Sequence, residues 1–429
     1  MDTQSFEIEG LAGKRLLQGE IKVGGAKNAA LKILAASILF ADEVNLTRVP
    51  AIEDVSRMEE ALSELGVLIS KTGQGTLSLL TDKIKSYSIT PAIAKRMRSS
   101  IVLTGPLLAR CGEVQFPYPG GCVIGKRPID IFLTAFKQMG AEVSEEENGF
   151  VVRAPGGKLT GAEIFLRLPS VTATETLMMA AVLASGQTVI KNAALEPEII
   201  DLGNWLNHCG ANISGLGTPI ITVDGGGLLS GKGRTYTTMP DRIEAGSFIV
   251  LGALAASDLT VSGCEPAHLD ALLDALRSAG VNLEIGTDYV RLFGNEGRQF
   301  SPLEIKTHEY PGFPTDLQAP ISIFLTQATG QSFIFETIFE NRLNYLETIS
   351  RFGAKVRVLD SHRALIDGPE SLSGQTVESP DLRAGLAYVL AGIVAEGRTI
   401  VHNVYYIDRG YERIDERLRQ IGVKIRRTA

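Results

Sequence analysis

The segment HLDALLDALRSAGVNLEI, residues 268–285, decides the fold. Leu269, Leu272, Leu273 and Leu276 recur at the spacing of one apolar helical stripe, and Asp270, Asp274 and Arg277 fall on the opposite face. Gly280 stands where such a helix ends in a left-handed residue. Val281, Leu283 and Ile285 then alternate with polar residues, as in a half-buried strand. The same transition returns as ELGVLI at Gly66, QMGAEV at Gly140, HCGANI at Gly210, RFGAKV at Gly353 and QIGVKI at Gly422. These units are spaced about 70 residues apart, which is the mark of an internal repeat.

Working outward, each unit begins with an Ala-rich apolar run: AALKILAASILFA, SIVLTGPLLAR, TLMMAAVLASG, SFIVLGALAAS, APISIFLTQATG and GLAYVLAGIVAEG. These are apolar nearly all round, so each predicts a buried helix. A short strand-like run follows (EVNLTRV, QTVIKN and RTIVHN are examples), and then the amphipathic helix. Units this small do not stand alone comfortably. The expected arrangement is two globes of three units each, spanning 22–231 and 1–21 plus 232–429. The Gly-rich stretch Gly225–Thr235 is the expected connection, and the N-terminus is expected to add a strand to the C-terminal globe. A cleft between the globes is the expected ligand site.

Composition narrows the class. Lys and Arg number 42 against 49 Asp and Glu, a net charge of −7, which argues against a general binder of nucleic acid or anionic membrane. A ring-shaped DNA clamp would need a basic inner stripe, whereas here the cations gather at the heads of the repeats. Aromatics are 6 % and glycines number 45, so the core is built from small aliphatic side chains. The four cysteines form no C-x-x-C pair and have no histidines at metal-ligand spacing, so neither a zinc site nor a disulfide framework is expected. The N-terminus lacks a signal-peptide pattern, and the apolar runs are shorter than the ~20 residues of a membrane span. The expectation is a cytoplasmic protein.

Several segments carry chemistry. PYPGGCVIGKRPID (Pro117–Asp130) sets Cys122 near Lys126 and Arg127, cations that favour a reactive thiolate. The alternative is an idle thiol in a Gly-rich turn, the reading that also fits Cys111, Cys209 and Cys264. Gly120, Gly125 and Lys126 approach a P-loop, but Arg127 stands where Ser or Thr would hold magnesium. In VGGAKNAAL (Val23–Leu31), Lys27 and Asn28 open a buried helix, where free N–H groups favour an anion; a solvated Lys with an Asn N-cap is the plainer reading. Arg98 holds the equivalent place in the second unit. Asp241, Asp316 and Asp381 begin the later buried helices, and all three read as N-caps. Asp316, between prolines in YPGFPTDLQAP, also reads as a general base facing a basic pocket. Arg342, Arg383 and Arg409 are further cations, for which surface ion pairs are the simpler account.

GGAKNAAL, MRSSIVLTGPLLAR, PGGCVIGKRPID, EPEIIDL, PDRIEAG, PGFPTDLQAP, FENR, DLRAG and IDRGYERI together resemble the UDP-N-acetylglucosamine 1-carboxyvinyltransferase family, in order and over essentially the whole chain. The related 3-phosphoshikimate enzymes share fold and reaction type but lack the Cys loop. The resemblance implies an inside-out α/β barrel of the enolpyruvate transferase type, with six repeats in two globular domains and helices inside the sheets. It implies transfer of the enolpyruvyl group of phosphoenolpyruvate to the 3′-hydroxyl of UDP-N-acetylglucosamine with release of phosphate, without cofactor or catalytic metal. That reaction commits precursors to peptidoglycan.

By the same resemblance Cys122 is the general acid and can form a covalent adduct, on a loop that closes as a lid. Asp316 takes the hydroxyl proton. Lys27, Arg127 and Arg409 hold the phosphate and carboxylate, with Asn28 and Arg98 touching the substrates nearby. Arg342 and Arg383 are also carried over as binding cations. Arg127, Pro128, Ile129, Asp130, Ile131, Ser170, Val171 and Ile338 line the UDP-sugar site. Lys126, Phe132 and Leu168 depart from the commonest pattern at the nucleotide, which leaves another uridine nucleotide open as the acceptor.

Overall fold

The computed structural model describes residues 4–118, 129–294, 297 and 299–429. Two compact units emerge. One comprises the described residues up to Gly24 together with Pro240–Ala429; the other comprises those from Gly25 to Met239. The chain passes between units after Met239 because strand Thr235–Thr237 pairs in parallel with Asn45–Thr47, which ties the stretch beyond residue 231 to the unit it follows. Leu229, Ser230 and Gly231 are likewise bonded to Leu39, Cys209 and Asp42 of that unit.

Among the described residues there are six sheets, three in each unit. The sheet of Glu304–Lys306, Gly330–Phe335, Arg363–Gly368 and Lys355–Val358 shows the plan. A short strand lies parallel to a longer one, which pairs antiparallel with the second arm of a hairpin. The buried helix Gln318–Leu325 joins the first two strands, and the helix Tyr345–Arg351 leads into the hairpin. In the sheet of Thr376–Glu378 and Arg398–His402 the hairpin position is filled from the other end of the chain. Ser5–Glu9 lies between Arg398–His402 and Lys424–Thr428, antiparallel to both. Leu17–Lys22 likewise completes a second sheet of that unit, parallel to Ala256–Ser262.

The six Ala-rich runs form helices, and they are buried. Every residue of Arg242–Ala255 is buried, as is every residue of Leu382–Val394 after its first. These two helices and Gln318–Leu325 pack against one another in the first unit. Full burial of each large aliphatic side chain contributes about 1.5–3 kcal/mol. In the other unit Thr104–Cys111 lies against Val171–Val182. Their approach is close enough that a Cβ on Gly105 would stand 2.2 Å from the Thr176 carbonyl oxygen. By contrast Asp270–Ser278 buries only Leu272, Leu273 and Leu276. Gly66, Gly140, Gly210, Gly280, Gly353 and Gly422 all take positive φ, between 84° and 109°, where these helices end. Among the described residues no helix is long and apolar enough to cross a membrane, and no cluster of His, Cys, Asp and Glu could hold a metal ion.

Candidate active site

The three aspartates that head buried helices divide into two kinds. Asp241 accepts from the N–H groups of Ile243 and Glu244, and Asp381 from those of Arg383 and Ala384, so both are N-caps. Asp316 caps nothing. It sits inside the 3₁₀ turn Thr315–Leu317, and its carboxylate is gripped by two guanidinium groups. Arg342 donates to Oδ1 at 2.7 Å and Arg383 to Oδ2 at 3.0 Å. Both arginines are nearly buried, while the Asp316 side chain keeps 29 % exposure, so one face of the carboxylate stays open. Burial alone would raise its pKa. The charges of Arg383 and Arg342 outweigh that and hold it well below the usual carboxylate range.

The supporting residues were not singled out from sequence. Arg383 also donates to the Tyr411 hydroxyl at 2.9 Å. Ser247 spends its proton on the Ile243 carbonyl, so Tyr411 donates to Ser247 across 3.0 Å. Arg383 is thereby fixed from both sides. Glu336 is fully buried and accepts from the N–H groups of Ile338 and Phe339 and from the hydroxyl of Thr315. One side chain thus holds both the turn carrying Asp316 and the segment carrying Ile338. Its place three residues before the FEN-Arg342 motif is the only sequence signal it had. Arg409 is half-buried at the end of the short helix Tyr405–Asp408, two residues before Tyr411.

In the other unit the sequence candidates gather at helix starts. Lys27 is the first residue of the helix Lys27–Ala36, and its Nζ lies 3.3 Å from Asp54 Oδ2. Asn28 is not the cap; Ala26 is, and an alanine offers no side-chain cap. Gly25 is required here by close approach, since a Cβ would fall 2.0 Å from the Arg48 carbonyl oxygen. Arg98 opens the 3₁₀ turn Arg98–Leu103 and lines a small hollow with Ile89, Ser100 and Phe116. Ser170 uses its hydroxyl as an N-cap, accepting from Ala173 N–H at 3.2 Å, and Val171 begins that helix. Ile129, Asp130 and Ile131 stand at the head of Asp130–Gln138, with Asp130 exposed and bonded to Arg167. Phe132 turns inward on Phe136, whereas Leu168 is exposed. Cys122, Lys126, Arg127 and Pro128, with the rest of their loop, lie outside the described residues. Burial pushes the Cys209 and Cys264 thiols up to about 11 and raises that of Cys111, so none of the three is an activated nucleophile.

The comparisons with known proteins agree with one another. Residues 11–418 match the family model of EPSP synthase (3-phosphoshikimate 1-carboxyvinyltransferase). UDP-N-acetylglucosamine 1-carboxyvinyltransferase 1 of Carboxydothermus hydrogenoformans is 46 % identical over 417 residues, 97 % of each chain. The Yersinia pestis protein named UDP-N-acetylglucosamine 1-carboxyvinyltransferase is 44 % identical, again over 97 % of each chain. The chain belongs to the UDP-N-acetylglucosamine 1-carboxyvinyltransferase family. It is an enolpyruvyl transferase with an α/β fold. The enolpyruvyl transferase NikO of Streptomyces tendae superposes with a TM-score of 0.88 at 23 % identity, covering 100 % of this chain and 99 % of that one. EPSP synthase of Acinetobacter baumannii gives 0.74 at 18 %, covering 100 % of both. At these identities the two structures speak to the fold alone.

Proposed function

We propose that this transferase moves the enolpyruvyl group of phosphoenolpyruvate onto the 3′-hydroxyl of UDP-N-acetylglucosamine and releases phosphate, the step that commits precursors to peptidoglycan. The observation that carries the reading is the exposed face of Asp316 between Arg342 and Arg383, in a chain whose full-length relatives bear that name. The hydroxyl oxygen adds to C2 of phosphoenolpyruvate and its proton passes to Asp316. The methylene carbon gains a proton from Cys122. Loss of a proton from the resulting methyl group and departure of phosphate restore the double bond. Lys27, Arg127 and Arg409 hold the phosphate and carboxylate. The six sheets and buried helices support the finer architectural reading, an inside-out barrel of six repeats. The cytoplasm is the compartment the reading implies.

Asp316 gripped by two arginines is a weak base, because a general base works best with a pKa near the operating pH. An anionic substrate that draws Arg342 toward itself weakens that restraint as it binds. The base then strengthens when the substrate is present, and charge developing at the reacting carbon meets guanidinium groups already held in the site. The test is phosphate release, which must require both substrates; absence of release with both present overturns the reading. Alkylation by the epoxide fosfomycin, mapped by mass spectrometry, must label Cys122; labelling of Cys111 instead contradicts the site.

A further inference from the structure

The helix Lys27–Ala36 carries a second lysine that the reaction does not use. Lys32 is buried, and its Nζ lies 3.2 Å from Glu175 Oε2, inside the helix Val171–Val182. Glu175 has no exposure, and neither of its carboxylate oxygens has a hydrogen-bond partner among the described residues, Oε2 meeting Lys32 as an ion pair only. Side chains on a helix lean toward its N-terminus, and Lys32 follows that rule: Nζ donates to the Asn28 carbonyl oxygen at 2.9 Å. The ammonium therefore sits one turn closer to Lys27 than its own Cα does. Removing two charges from water costs more than their attraction returns unless the surrounding bonds are complete, and here both carboxylate oxygens lack a hydrogen bond among the described residues. Two leucines would fill the same space without that cost, so packing does not account for the pair.

We propose that Lys32 and Glu175 set the charge of the anion site at the start of the helix Lys27–Ala36: ionised Glu175 cancels the Lys32 ammonium, and protonated Glu175 releases its field to the anion. The placement of the anion at Lys27 and Asn28 rests on the function proposed above. The charges acting most strongly on Glu175 are Lys32, then Glu198 and Glu196 at the head of the neighbouring helix Pro197–His208. Charged residues on the other elements packed around it are engaged elsewhere: Arg110 with the carbonyls of Ile38, Phe40 and Thr81, Asp130 with Arg167, Lys191 with Glu163 and Asp224 with Asn212. Arg98 opens the 3₁₀ turn beside it and is half-buried, and Lys137 is exposed. Burial first, with the two glutamates adding and Lys32 opposing, puts Glu175 at about 7, so both states are populated near neutral pH. The pair carries no net charge above that pH and one positive charge below it.

Sulfate is the probe, because its charge does not change between pH 6 and pH 8. Its dissociation constant is measured at both pH values for the full chain and for Glu175→Gln, which keeps the Lys32 charge uncompensated throughout. Glu175→Gln is expected to bind sulfate several-fold more tightly than the unaltered protein at pH 8 and equally at pH 6. KM for phosphoenolpyruvate should follow the same ratio. A ratio that is the same at both pH values overturns the proposal, as does failure of the unaltered protein to bind sulfate at all. Lys32→Leu/Glu175→Leu, which replaces the pair by packing, must lose the tightening on acidification that the unaltered protein shows; retention of it overturns the proposal too. The two readings fail separately. Phosphate release from phosphoenolpyruvate with a flat sulfate ratio sinks the charge-setting pair alone. The expected ratio with no phosphate release sinks the transferase reading alone.

Discussion

Asp316 shows how a carboxylate can be strongly held and still be available. Its pKa is depressed in the folded chain, so the unfolded chain binds the proton more readily and stability rises with pH. That contribution is complete above the unfolded value of about 3.9 and is lost as the pH falls through the folded one. Asp316→Asn should therefore lower the melting temperature at pH 7, with the difference from the unaltered protein vanishing in strong acid. The same variant should lose about 10²–10⁴-fold in kcat, the usual worth of a general base. Glu336→Gln should behave differently. It keeps the base but leaves one acceptor oxygen where Oε1 holds Ile338 and Phe339 and Oε2 holds Thr315, so KM for the UDP-sugar should rise by more than kcat falls. Steady-state kinetics on both variants separates the roles. Asp316 was legible in the sequence because prolines flank it, and Arg342 and Arg383 because they sit in short polar motifs. Glu336, Tyr411 and Glu175 were not. Each lies in a segment that reads as strand or helix, and only the partner it meets, distant along the chain, gives it a role.

At the scale of elements, the buried helices and the glycines that end their amphipathic neighbours were readable because both follow from local rules: burial all round one helix, and a left-handed residue closing the other. The caps were readable for the same reason at Asp241 and Asp381. Asp381→Ala should destabilise the chain by about 1 kcal/mol, as loss of an N-cap does, measured by urea unfolding. What the sequence hid was how closely helices approach. Gly105 reads as an ordinary small residue, yet the Thr176 carbonyl lies where its side chain would be. Gly105→Val must push the helices Thr104–Cys111 and Val171–Val182 apart, at a cost of about 1–3 kcal/mol or more, and urea unfolding will show it. Pairing of the short parallel strands was hidden as well. Thr235–Thr237 carries no signal that it belongs beside Asn45–Thr47, far earlier in the chain, and so the change of unit falls later than the glycine-rich stretch suggests.

On the scale of the whole molecule, the first strand is the piece on which one unit depends. Ser5–Glu9 has a neighbour on each side, so its removal would open the sheet through the middle rather than trim its edge. A chain beginning after Glu9 should lose hydrogen-exchange protection in Arg398–His402 and Lys424–Thr428 while Ile220–Asp224 of the other unit keeps its own. Equal loss in both units would contradict the independence of the two cores. The strand's position also sets the order of events on the ribosome. Glu7 and its partner Arg426 are 419 residues apart. At about 5–20 residues per second the first strand waits roughly 20–80 s for its far neighbour to be synthesised. The unit from Gly25 to Met239 is complete long before that. It can close while its companion is still being made, and a nascent chain stalled near residue 400 would carry one finished unit beside one that cannot yet exist.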